Sequence, residues 1–516
     1  MHRFGQNSLA EALMSRIRQF TDGERFWRLV TAVLAGIGAV AGSYAYTGFS
    51  QSFVAEPAAA FLTDNTPAII VNTVLDSLGN FAQPARLATA VGIVVAVVAV
   101  VVFLALELEV AADQQYLGVP LAAVGIWLLA GVTTGAFLAA VAAALPAALI
   151  VGVISFLGAN DPLSVRTARK VDDRKRATLQ TGVGVAGLAG VSYMLGQRRT
   201  PDSAVQFLGG GESPPDDIQA MLDAAEAREF ELPGAPGLIS RIGNFYTVDI
   251  ATVAPMINAE TWSVTFTGEV ENELEVTYEE LREMEAEQFY SALRCVGEDL
   301  NERKLDNAVW TGVPVADLLE AVGPQAEFVT SHADDGYFVS ITREELEQSY
   351  LVYGMNGRLL PREHGHPVRL ITPGNWGEVN TKWLDEIEFN SDNADYGYWE
   401  ERGWEGNGEV RLVAKIWSVD RHEEGVTVGG HAYACCADID RVEVLTDEGE
   451  TWTDAELTEP LGEIDGWQQW RYTFDPDEPT DLIARAVDAN GTVQPELESG
   501  SFPDGPSGWV SETIEP

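Results

Sequence analysis

The 516-residue chain predicts three parts in succession: an N-terminal α-helical membrane bundle, an α+β domain and a β-sandwich of the immunoglobulin type. Long apolar runs are confined to the first part, short strands mixed with short helices follow, and strands separated by turns fill the remainder. A chain of this length is expected to hold more than one domain. The predicted parts are a membrane domain, a Gly-, Pro- and Asp-rich linker, the α+β domain and the sandwich, at 1–199, 200–236, 237–405 and 406–516.

Five apolar segments of the first part are each close to the roughly 20 residues that a helix needs to cross a bilayer. They cover approximately 27–49, 86–106, 117–137, 139–158 and 178–196. The fourth segment follows the third so closely that a helical hairpin is expected, with its turn near residues 136–140. The basic stretch Asp173-Arg-Lys-Arg176 precedes the Gly- and Ala-rich fifth segment. It resembles a twin-arginine export signal in which Lys175 interrupts the arginine pair.

Basic residues indicate the orientation of these segments. They precede the first segment and fill the 160–177 loop, whereas the connection from residue 50 to Pro84 contains none. Because basic loops stay in the cytoplasm, we expect a multi-pass membrane protein with a cytoplasmic N-terminus. Five spans then place the soluble part outside the cytoplasm. A four-span alternative, with 118–158 as one long helix, would reverse this and conflicts with the charge rule.

The charge of the chain is divided between its two halves. Residues 1–199 have a net charge of +2, whereas the remainder holds 18 basic and 66 acidic residues, a net charge of −48. Such a surface would repel a phosphate backbone, so nucleic acid is excluded as a partner. Acidic, lysine-poor surfaces of this kind are typical of proteins that work in concentrated salt. Only three lysines follow residue 200: Lys304, Lys382 and Lys415.

Two common cofactor signatures are excluded. Gly182-x-Gly184-x-x-Gly187 matches a dinucleotide fingerprint but follows no strand, so we reject it. No CxxCH motif occurs and no histidine lies in an apolar segment, so this chain holds neither a c-type haem nor a bis-histidine haem in the membrane. The six histidines are His2, His332, His364, His366, His422 and His431.

The chemistry of the α+β domain is expected at Cys295, which lies in Ser291-Ala-Leu-Arg-Cys-Val-Gly297 after an acidic run of helix-like composition. A thiolate suits a polarisable transition metal, and the neighbouring Arg294 would favour the ionised thiol. A lone cysteine is more often a buried structural thiol. Three further motifs follow it, at Trp310–Leu319, Tyr353–Arg369 and Pro373–Trp383.

This succession of motifs resembles the molybdopterin-binding core of the sulfite oxidase family. The resemblance implies a molybdenum–molybdopterin cofactor with Cys295 as catalytic residue and metal ligand. It also implies cofactor-binding residues in three segments. These are Asn244, Tyr246 and Thr247 of the opening segment, His364 and Arg369, and Asn380, Thr381 and Lys382. Taken alone, the last lysine would be read as a solvated side chain.

The C-terminal part carries two more segments that resemble this family, in its dimerisation domain. They are Arg441–Trp452 and Ala484–Pro495, and they imply a homodimer formed through this domain. His422 and His431 are expected to be strand or turn positions. The adjacent Cys435 and Cys436 would form a strained vicinal disulfide, so we expect buried strand packing, with a redox role as the alternative.

The resemblance implies two-electron oxo transfer at molybdenum, with a small oxyanion as substrate and electrons exchanged with an external carrier or a membrane redox partner. Two departures weaken the expectation of sulfite. Val379 replaces an arginine of the sulfite-oxidising members, and the acidic Glu298 and Asp299 replace an Asn-Arg pair. The alternative is reduction of an S-oxide or N-oxide, such as oxidised methionine in exported proteins. A metal-free, membrane-anchored binding module is the alternative from another class.

Overall fold

The computed structural model describes most of the chain and divides it into two compact units. The first comprises residues 1–201 with 251–254, and the second comprises 202–250 with 255–516. The basic loop, the twin-arginine-like stretch and Cys436 lie outside the described residues. Those described are 24–48, 50, 52–66, 82–159, 181–182, 184–196, 206–251, 254–393, 397–406, 408–423, 425–435, 437–446, 451–462 and 465–516.

The described part of the first unit is helical. Its helices are α1 (Glu24–Thr47), α2 (Glu56–Asn65), α3 (Ala82–Ala111), α4 (Gly118–Thr134), α5 (Phe137–Ala159) and α6 (Gly184–Gly196). Helix α2 was not predicted from the sequence. Three helices are long and apolar enough to cross a membrane, at Arg25–Thr47, Ala85–Ala111 and Phe137–Leu157, whereas α4 and α6 are shorter.

Close helix packing organises this unit. Helix α1 contacts α3 and α5, and α4 contacts α5. A Cβ atom on Gly36 of α1 would lie 2.7 Å from the carbonyl oxygen of Val95 in α3, so the small residue allows the two backbones to approach. The predicted hairpin turns at Gly135, whose φ of +68° suits glycine.

The α+β domain of the second unit contains two five-stranded sheets. One has the order β2-β1-β10-β5-β6, with β1 and β10 parallel, and the other has the order β3-β4-β7-β8, with β9 on β7. The strands are β1 (Ser263–Gly268), β2 (Leu274–Thr277), β3 (Glu287–Arg294), β4 (Leu305–Pro314), β5 (Phe328–Ala333), β6 (Phe338–Thr342), β7 (Tyr350–Met355), β8 (Arg358–Leu359), β9 (Arg369–Ile371) and β10 (Leu384–Asn390).

Four short α-helices accompany these sheets: α7 (Asp216–Glu226), α8 (Tyr278–Glu283), α9 (Ala316–Val322) and α10 (Arg343–Glu347). Helices α8 and α10 begin with capping boxes at Thr277 and Thr342, in which the side chain accepts from the backbone N–H three residues on. Helix α7 belongs to the predicted linker, and its Ile218 is buried in the core of the α+β domain.

The residues directly before Cys295 form strand β3 rather than a helix. Helix α8 ends at Glu283, and β3 then pairs along its whole length with β4. From Phe289 onwards every residue of β3 is buried, because the strand lies inside the domain. The acidic run of helix-like composition thus forms α8, and the buried strand β3 separates it from Cys295.

The C-terminal domain consists of two antiparallel sheets, with the orders β11-β13-β17-β16 (β12 also on β13) and β15-β14-β18-β19. The strands are β11 (Val413–Ala414), β12 (Ser418–His422), β13 (Gly425–Tyr433), β14 (Ile439–Leu445), β15 (Thr453–Asp454), β16 (Glu456–Leu457), β17 (Gln468–Phe474), β18 (Thr480–Asp488) and β19 (Val510–Ile514). His431 is buried within β13 and His422 ends β12, as expected, while Cys435 lies half-buried after β13. The immunoglobulin type remains a prediction.

One hydrophobic core runs from the C-terminal domain into the α+β domain. It includes Val428 and Val442 of the two C-terminal sheets together with Val296, Leu300 and Trp376 of the α+β domain. The segment that follows Cys295 therefore packs directly against the C-terminal domain.

Candidate functional site

Cys295 is the first residue after β3 and opens a loop that returns to β4. Its N–H donates to the carbonyl oxygen of Lys304 at 2.9 Å, which closes the loop. The side chain is buried, and this burial raises the pKa of the Cys295 thiol to about 11, although the Lys304 ammonium and a backbone hydrogen bond from Gly297 oppose the rise. Without a bound ligand the thiol is therefore protonated at neutral pH.

Arg294 does not favour the Cys295 thiolate as the sequence suggested. Its Nε donates to Glu298 Oε1 at 2.6 Å, its Nη1 donates to the carbonyl oxygen of Arg411 at 3.1 Å, and its guanidinium lies 4.9 Å from the ring centre of Trp376. These contacts hold the guanidinium in the interior, and its buried Nη2 has no hydrogen-bond partner among the described residues.

Glu298 likewise does not present a free negative charge to a substrate, contrary to the sequence expectation. Its Oε1 accepts from Arg294 Nε and from Lys415 Nζ, both at 2.6 Å, and its Oε2 accepts from the Lys304 N–H at 3.0 Å. The Glu298 side chain is completely buried. Because two cations surround it, its charge is compensated, and only the neighbouring Asp299 is exposed.

A second group of side chains surrounds Arg369. This residue is 5% exposed, and its Nη1 and Nη2 donate to the carbonyl oxygens of His364 (3.1 Å) and Asn380 (2.9 Å). His364 Nε2 lies 3.3 Å from the carbonyl oxygen of Ile242. Burial, with Lys382 and Arg369 nearby, lowers the pKa of His364 to about 3, so its imidazole is neutral at ordinary pH.

Lys382 completes this group. Its Nζ donates to Asp249 Oδ2 at 2.7 Å and to the carbonyl oxygen of Glu363 at 3.3 Å. Gly365 makes the close packing feasible, since it has a φ of +110° and a Cβ atom there would lie 3.0 Å from Arg369 Cβ and 3.2 Å from Lys382 Cα. The structure thus brings together His364, Arg369 and Lys382, as the sequence predicted.

The opening segment is anchored by Asp306 of β4. The Ser240 hydroxyl donates to Asp306 Oδ1 at 2.5 Å, and the Tyr246 N–H donates to Oδ2 at 2.8 Å. Burial raises the pKa of Asp306 to about 6. Among the predicted site residues here, Asn244 is exposed and Thr247 is half-buried.

Tyr246 connects the thiol with the cationic group. Burial and the neighbouring Cys295 raise the pKa of the Tyr246 phenol, whereas nearby Arg369 lowers it. A Cβ atom on Gly377 would lie 2.8 Å from Tyr246 Oη, and the Gly377 N–H donates to the carbonyl oxygen of Arg294 at 2.7 Å. The 374–382 loop therefore reaches from the backbone beside Cys295 to Lys382.

Asn380 and Thr381 stabilise this loop from within. Asn380 Oδ1 accepts from the Thr372 N–H at 2.7 Å and its Nδ2 donates to the carbonyl oxygen of Trp376 at 2.8 Å. The Thr381 hydroxyl lies 2.6 Å from the hydroxyl of Ser331. Both side chains are buried, and their contact with a cofactor remains a prediction.

Several residues near the site were not identified from the sequence. Tyr337 Oη donates to the carbonyl oxygen of Glu378 at 2.8 Å, and Tyr337 lies near enough to Cys295 for the thiolate to raise the pKa of its phenol. Burial and Glu400 raise the pKa of Glu378 to about 8, so this carboxyl is mostly protonated at neutral pH. The scarcity of lysine in the soluble part could have identified two further site residues. Lys304 and Lys415, like Lys382, lie at or beside the site.

Comparisons with known proteins agree with this geometry. Residues 251–399 match the family model of the oxidoreductase molybdopterin binding domain, and residues 412–501 match that of the Mo-co oxidoreductase dimerisation domain. Sulfite oxidase of Arabidopsis thaliana is 25% identical over 354 residues, which cover 55% of this chain and 90% of that protein. The oxidoreductase YuiH of Bacillus subtilis is 30% identical over 152 residues, which cover 29% of this chain and 74% of YuiH.

The chain belongs to the sulfite oxidase family of molybdopterin oxidoreductases. It is accordingly an oxidoreductase whose cofactor is molybdenum–molybdopterin. The sulfane dehydrogenase SoxCD of Paracoccus pantotrophus is also similar in structure, with a TM-score of 0.46 and 19% identity over 56% of this chain and 85% of that one.

The residues present fit the molybdopterin cofactor of this family. Two buried donors beside His364 and Lys382, Arg369 Nε and Arg362 Nη1, have no hydrogen-bond partner among the residues that the structure describes. Buried guanidinium donors without partners are costly unless a ligand satisfies them, and a phosphate is the acceptor that guanidinium and ammonium groups favour. The cationic group thus suits the phosphate of the cofactor, and the thiol suits its metal.

Proposed function

We propose that Cys295 is the protein ligand of molybdenum in a membrane-anchored enzyme that transfers an oxygen atom to or from a small sulfur compound. The observation that supports this most directly is the connection between the two parts of the site. The 374–382 loop hydrogen-bonds at one end to the carbonyl oxygen of Arg294, the residue before the buried thiol, and at the other to Arg369 of the cationic group. One extended ligand with a metal at one end and a phosphate at the other would occupy both.

In this proposal the residues of the chain bind and orient the cofactor, which when bound supplies two-electron oxygen-atom transfer. Arg369 and Lys382 hold the phosphate, and neutral His364 supports them without adding charge. The opening segment with Asn244, Tyr246 and Thr247 covers the pterin. Cys295 loses its proton on binding, and Lys304 assists because its ammonium lowers the pKa of the thiol.

Two substrates are proposed, with different support. Sulfite is the substrate named for the Arabidopsis relative, and its oxidation consumes one water and releases sulfate, two protons and two electrons. Reduction of an S-oxide takes up two protons and two electrons and releases the sulfide and one water. The surroundings of the thiol favour the second reaction.

That preference rests on the small net charge near Cys295. Val379 is 4% exposed and packs in the apolar core of the domain, so its position supplies no arginine. The Lys304 ammonium forms an ion pair with Glu302 at 2.9 Å, and Tyr337 and Glu378 are uncharged at neutral pH. A dianion such as sulfite needs more cationic partners than these, whereas a neutral S-oxide does not.

We further propose that the three long apolar helices, with α4 and α6, anchor the enzyme in a membrane and that the soluble part lies outside the cytoplasm. Outward-facing apolar side chains such as Leu138 (86% exposed) and Leu149 (66%) suit a lipid environment. Arg25 and Arg28 of α1 both lie within 3.4 Å of Glu107 near the end of α3, so these helices run antiparallel, as the predicted topology requires. Protease added to spheroplasts should then degrade the soluble part and leave an N-terminal tag intact. Degradation of the tag alone would contradict the proposal and indicate the opposite orientation.

The dimerisation-domain match supports the proposal of a homodimer through the C-terminal domain, with an external or membrane-bound electron carrier as the second partner. Light scattering on the detergent-solubilised protein should give twice the chain mass. A monomer at micromolar concentration would contradict this part of the proposal.

The decisive experiment combines metal analysis with two activity assays. Purified protein should contain molybdenum, and X-ray absorption should find one sulfur ligand fewer in Cys295→Ser than in wild type, with turnover abolished. Cys435→Ser serves as the control and should keep both properties. An active Cys295→Ser enzyme would refute the ligand assignment, and wild-type protein without molybdenum would favour the metal-free binding module.

The same preparation separates the two substrates. Sulfite-dependent reduction of ferricyanide is compared with sulfoxide-dependent oxidation of reduced benzyl viologen. Faster turnover in the second assay would support S-oxide reduction, and turnover in the first alone would establish sulfite oxidation.

A further inference from the structure

The loop that carries Cys295 is attached to the C-terminal domain on both sides. On the N-terminal side, the Ser291 hydroxyl donates to Asp465 Oδ2 at 2.8 Å and the Ala292 N–H donates to the Asp465 carbonyl oxygen at 2.8 Å. The same Oδ2 accepts from the Gly374 N–H at 2.7 Å, so Asp465 also holds the start of the 374–382 loop. The strand entering the thiol position is thus fixed from outside its own domain.

On the C-terminal side, Asn301 pairs with the backbone of Ile416. Asn301 Oδ1 accepts from the Ile416 N–H at 2.9 Å, and its Nδ2 donates to the Ile416 carbonyl oxygen at 3.0 Å. Trp417 Nε1 donates to the Asn301 carbonyl oxygen at 3.2 Å. Three hydrogen bonds therefore converge on one residue of the Cys295 loop.

Lys415 is the centre of this attachment. Its Nζ donates to Glu298 Oε1 at 2.6 Å and to the carbonyl oxygen of Glu302 at 2.8 Å, and its side chain is completely buried. Glu298 in turn accepts from Arg294, the residue before Cys295, and from the backbone N–H of Lys304. The carbonyl oxygen of Lys304 accepts from the N–H of Cys295. One ammonium thus stabilises both ends of the loop through a single carboxylate.

We propose that the C-terminal domain positions the Cys295 thiol, with Lys415 as the positioning residue that holds the 295–304 loop in its metal-binding geometry. Breaking a buried ion pair by removing one partner is strongly destabilising, because the remaining charge loses its compensation. Here the remaining charge is Glu298, within the loop itself. The inference rests on the proposed role of Cys295 as the metal ligand, but its test does not require the metal.

The chain offers a matched control. Glu443 also accepts from two cations, with Arg441 Nε at 2.9 Å and Arg485 Nε at 2.6 Å, all within the β14–β18 sheet. Lys415→Met and Arg485→Met therefore each remove one of two cations from a carboxylate. Only the first removal touches the Cys295 loop.

The measurement is the rate at which iodoacetamide alkylates Cys295 in cofactor-free, full-length protein, followed by mass spectrometry of the peptide that contains it. Loss of a nearby cation by itself disfavours the thiolate and would slow the reaction, so acceleration reports loosening of the loop. We expect Lys415→Met to accelerate alkylation about tenfold, which corresponds to about 1.4 kcal/mol. Arg485→Met should lower the unfolding temperature but leave the alkylation rate unchanged.

Equal rates in Lys415→Met and Arg485→Met would overturn the proposal. If Lys415→Met does not fold, Asn301→Ala replaces it, since it breaks the same attachment without leaving a buried charge, and an unchanged rate there would overturn the proposal as well. The X-ray absorption result on Cys295→Ser is independent of these rates. Failure of the ligand assignment and failure of the positioning role are therefore distinguishable.

Discussion

The two ends of the site differ in whether their cationic side chains are paired with carboxylates of the protein. The end proposed to hold the phosphate contains Arg369, Lys382 and the half-buried Arg362 around a neutral histidine, and two of its guanidinium donors have no partner among the described residues. At the thiol end, Glu298 forms ion pairs with both Arg294 and Lys415, and Lys304 is paired with Glu302, so that among these cations only Arg294 Nη2 is a buried donor that lacks a partner in the described part of the chain. The comparison indicates that cofactor affinity depends mainly on charge at one end, whereas reactivity depends on position and burial at the other.

The largest effect on this comparison is expected from Arg369→Gln. This change removes a buried guanidinium that makes two hydrogen bonds within the protein and whose Nε is proposed to bind the phosphate. Removing one partner of a buried charged contact costs roughly 3 kcal/mol of binding free energy. Cofactor retention should fall about 100-fold, measured as the dissociation constant of pterin from purified protein. Arg343→Gln, an exposed arginine paired with Glu347, is the control. Equal retention in the two variants would remove the phosphate end from its proposed role.

A pH-dependent effect is expected at the thiol end from Glu378→Gln. The folded-state pKa of Glu378 is raised from 4.5 to about 8, so wild type loses stability as pH rises between these values, while the amide of the variant cannot ionise. At pH 9 the variant should be more stable than wild type by up to about 5 kcal/mol, and at pH 4 the two should be equal. Denaturant unfolding at both pH values measures this, with the exposed Glu344→Gln as the control. A pH-independent difference would mean that Glu378 is ionised in the folded protein.

Lys382→Met should weaken cofactor retention less than Arg369→Gln, by about tenfold, because Lys382 contributes one flexible point charge. It also leaves the buried Asp249 without its cation, so the variant loses stability as well as a cofactor contact. The double variant with Asp249→Asn corrects that loss of stability. Retention should stay low in the double variant; full recovery would show that Lys382 serves only Asp249.

The smallest effect is expected from Tyr337→Phe, which removes the hydrogen bond to the carbonyl oxygen of Glu378. Loss of one such bond costs about 1 kcal/mol of unfolding free energy. Pterin retention should not change, since the hydroxyl acts at the thiol end. A drop in retention comparable to that of Lys382→Met would contradict the separation of the two ends.

Local patterns in the sequence predicted much of this arrangement. The helical hairpin near residues 136–140 and the strand positions of His422 and His431 depend on a few neighbouring residues, and the structure contains them. The expectation that His364, Arg369 and Lys382 share one site came from the family resemblance, and their contact with the cofactor remains a prediction. The family resemblance supplied the cofactor.

Contacts between distant residues could not be predicted in this way. Arg294 and Glu298 looked like neighbours of an open site, yet Lys415, 117 positions after Glu298, turns both into the interior. The strand before Cys295 pairs with β4 and is hydrogen-bonded to the C-terminal domain, and both partners lie beyond its own motif in the sequence. No local pattern encodes such partners.

The dependence of the thiol on Lys415 and Asp465 sets an order of events during biosynthesis. A nascent chain that has emerged only as far as the 374–382 loop already contains all the proposed cofactor contacts, but it lacks the ammonium and the carboxyl that fix the strand and loop around Cys295. Such a chain also lacks β10, the central strand of its first sheet, so the geometry around the sulfur is complete only after the last β domain has been synthesised and folded.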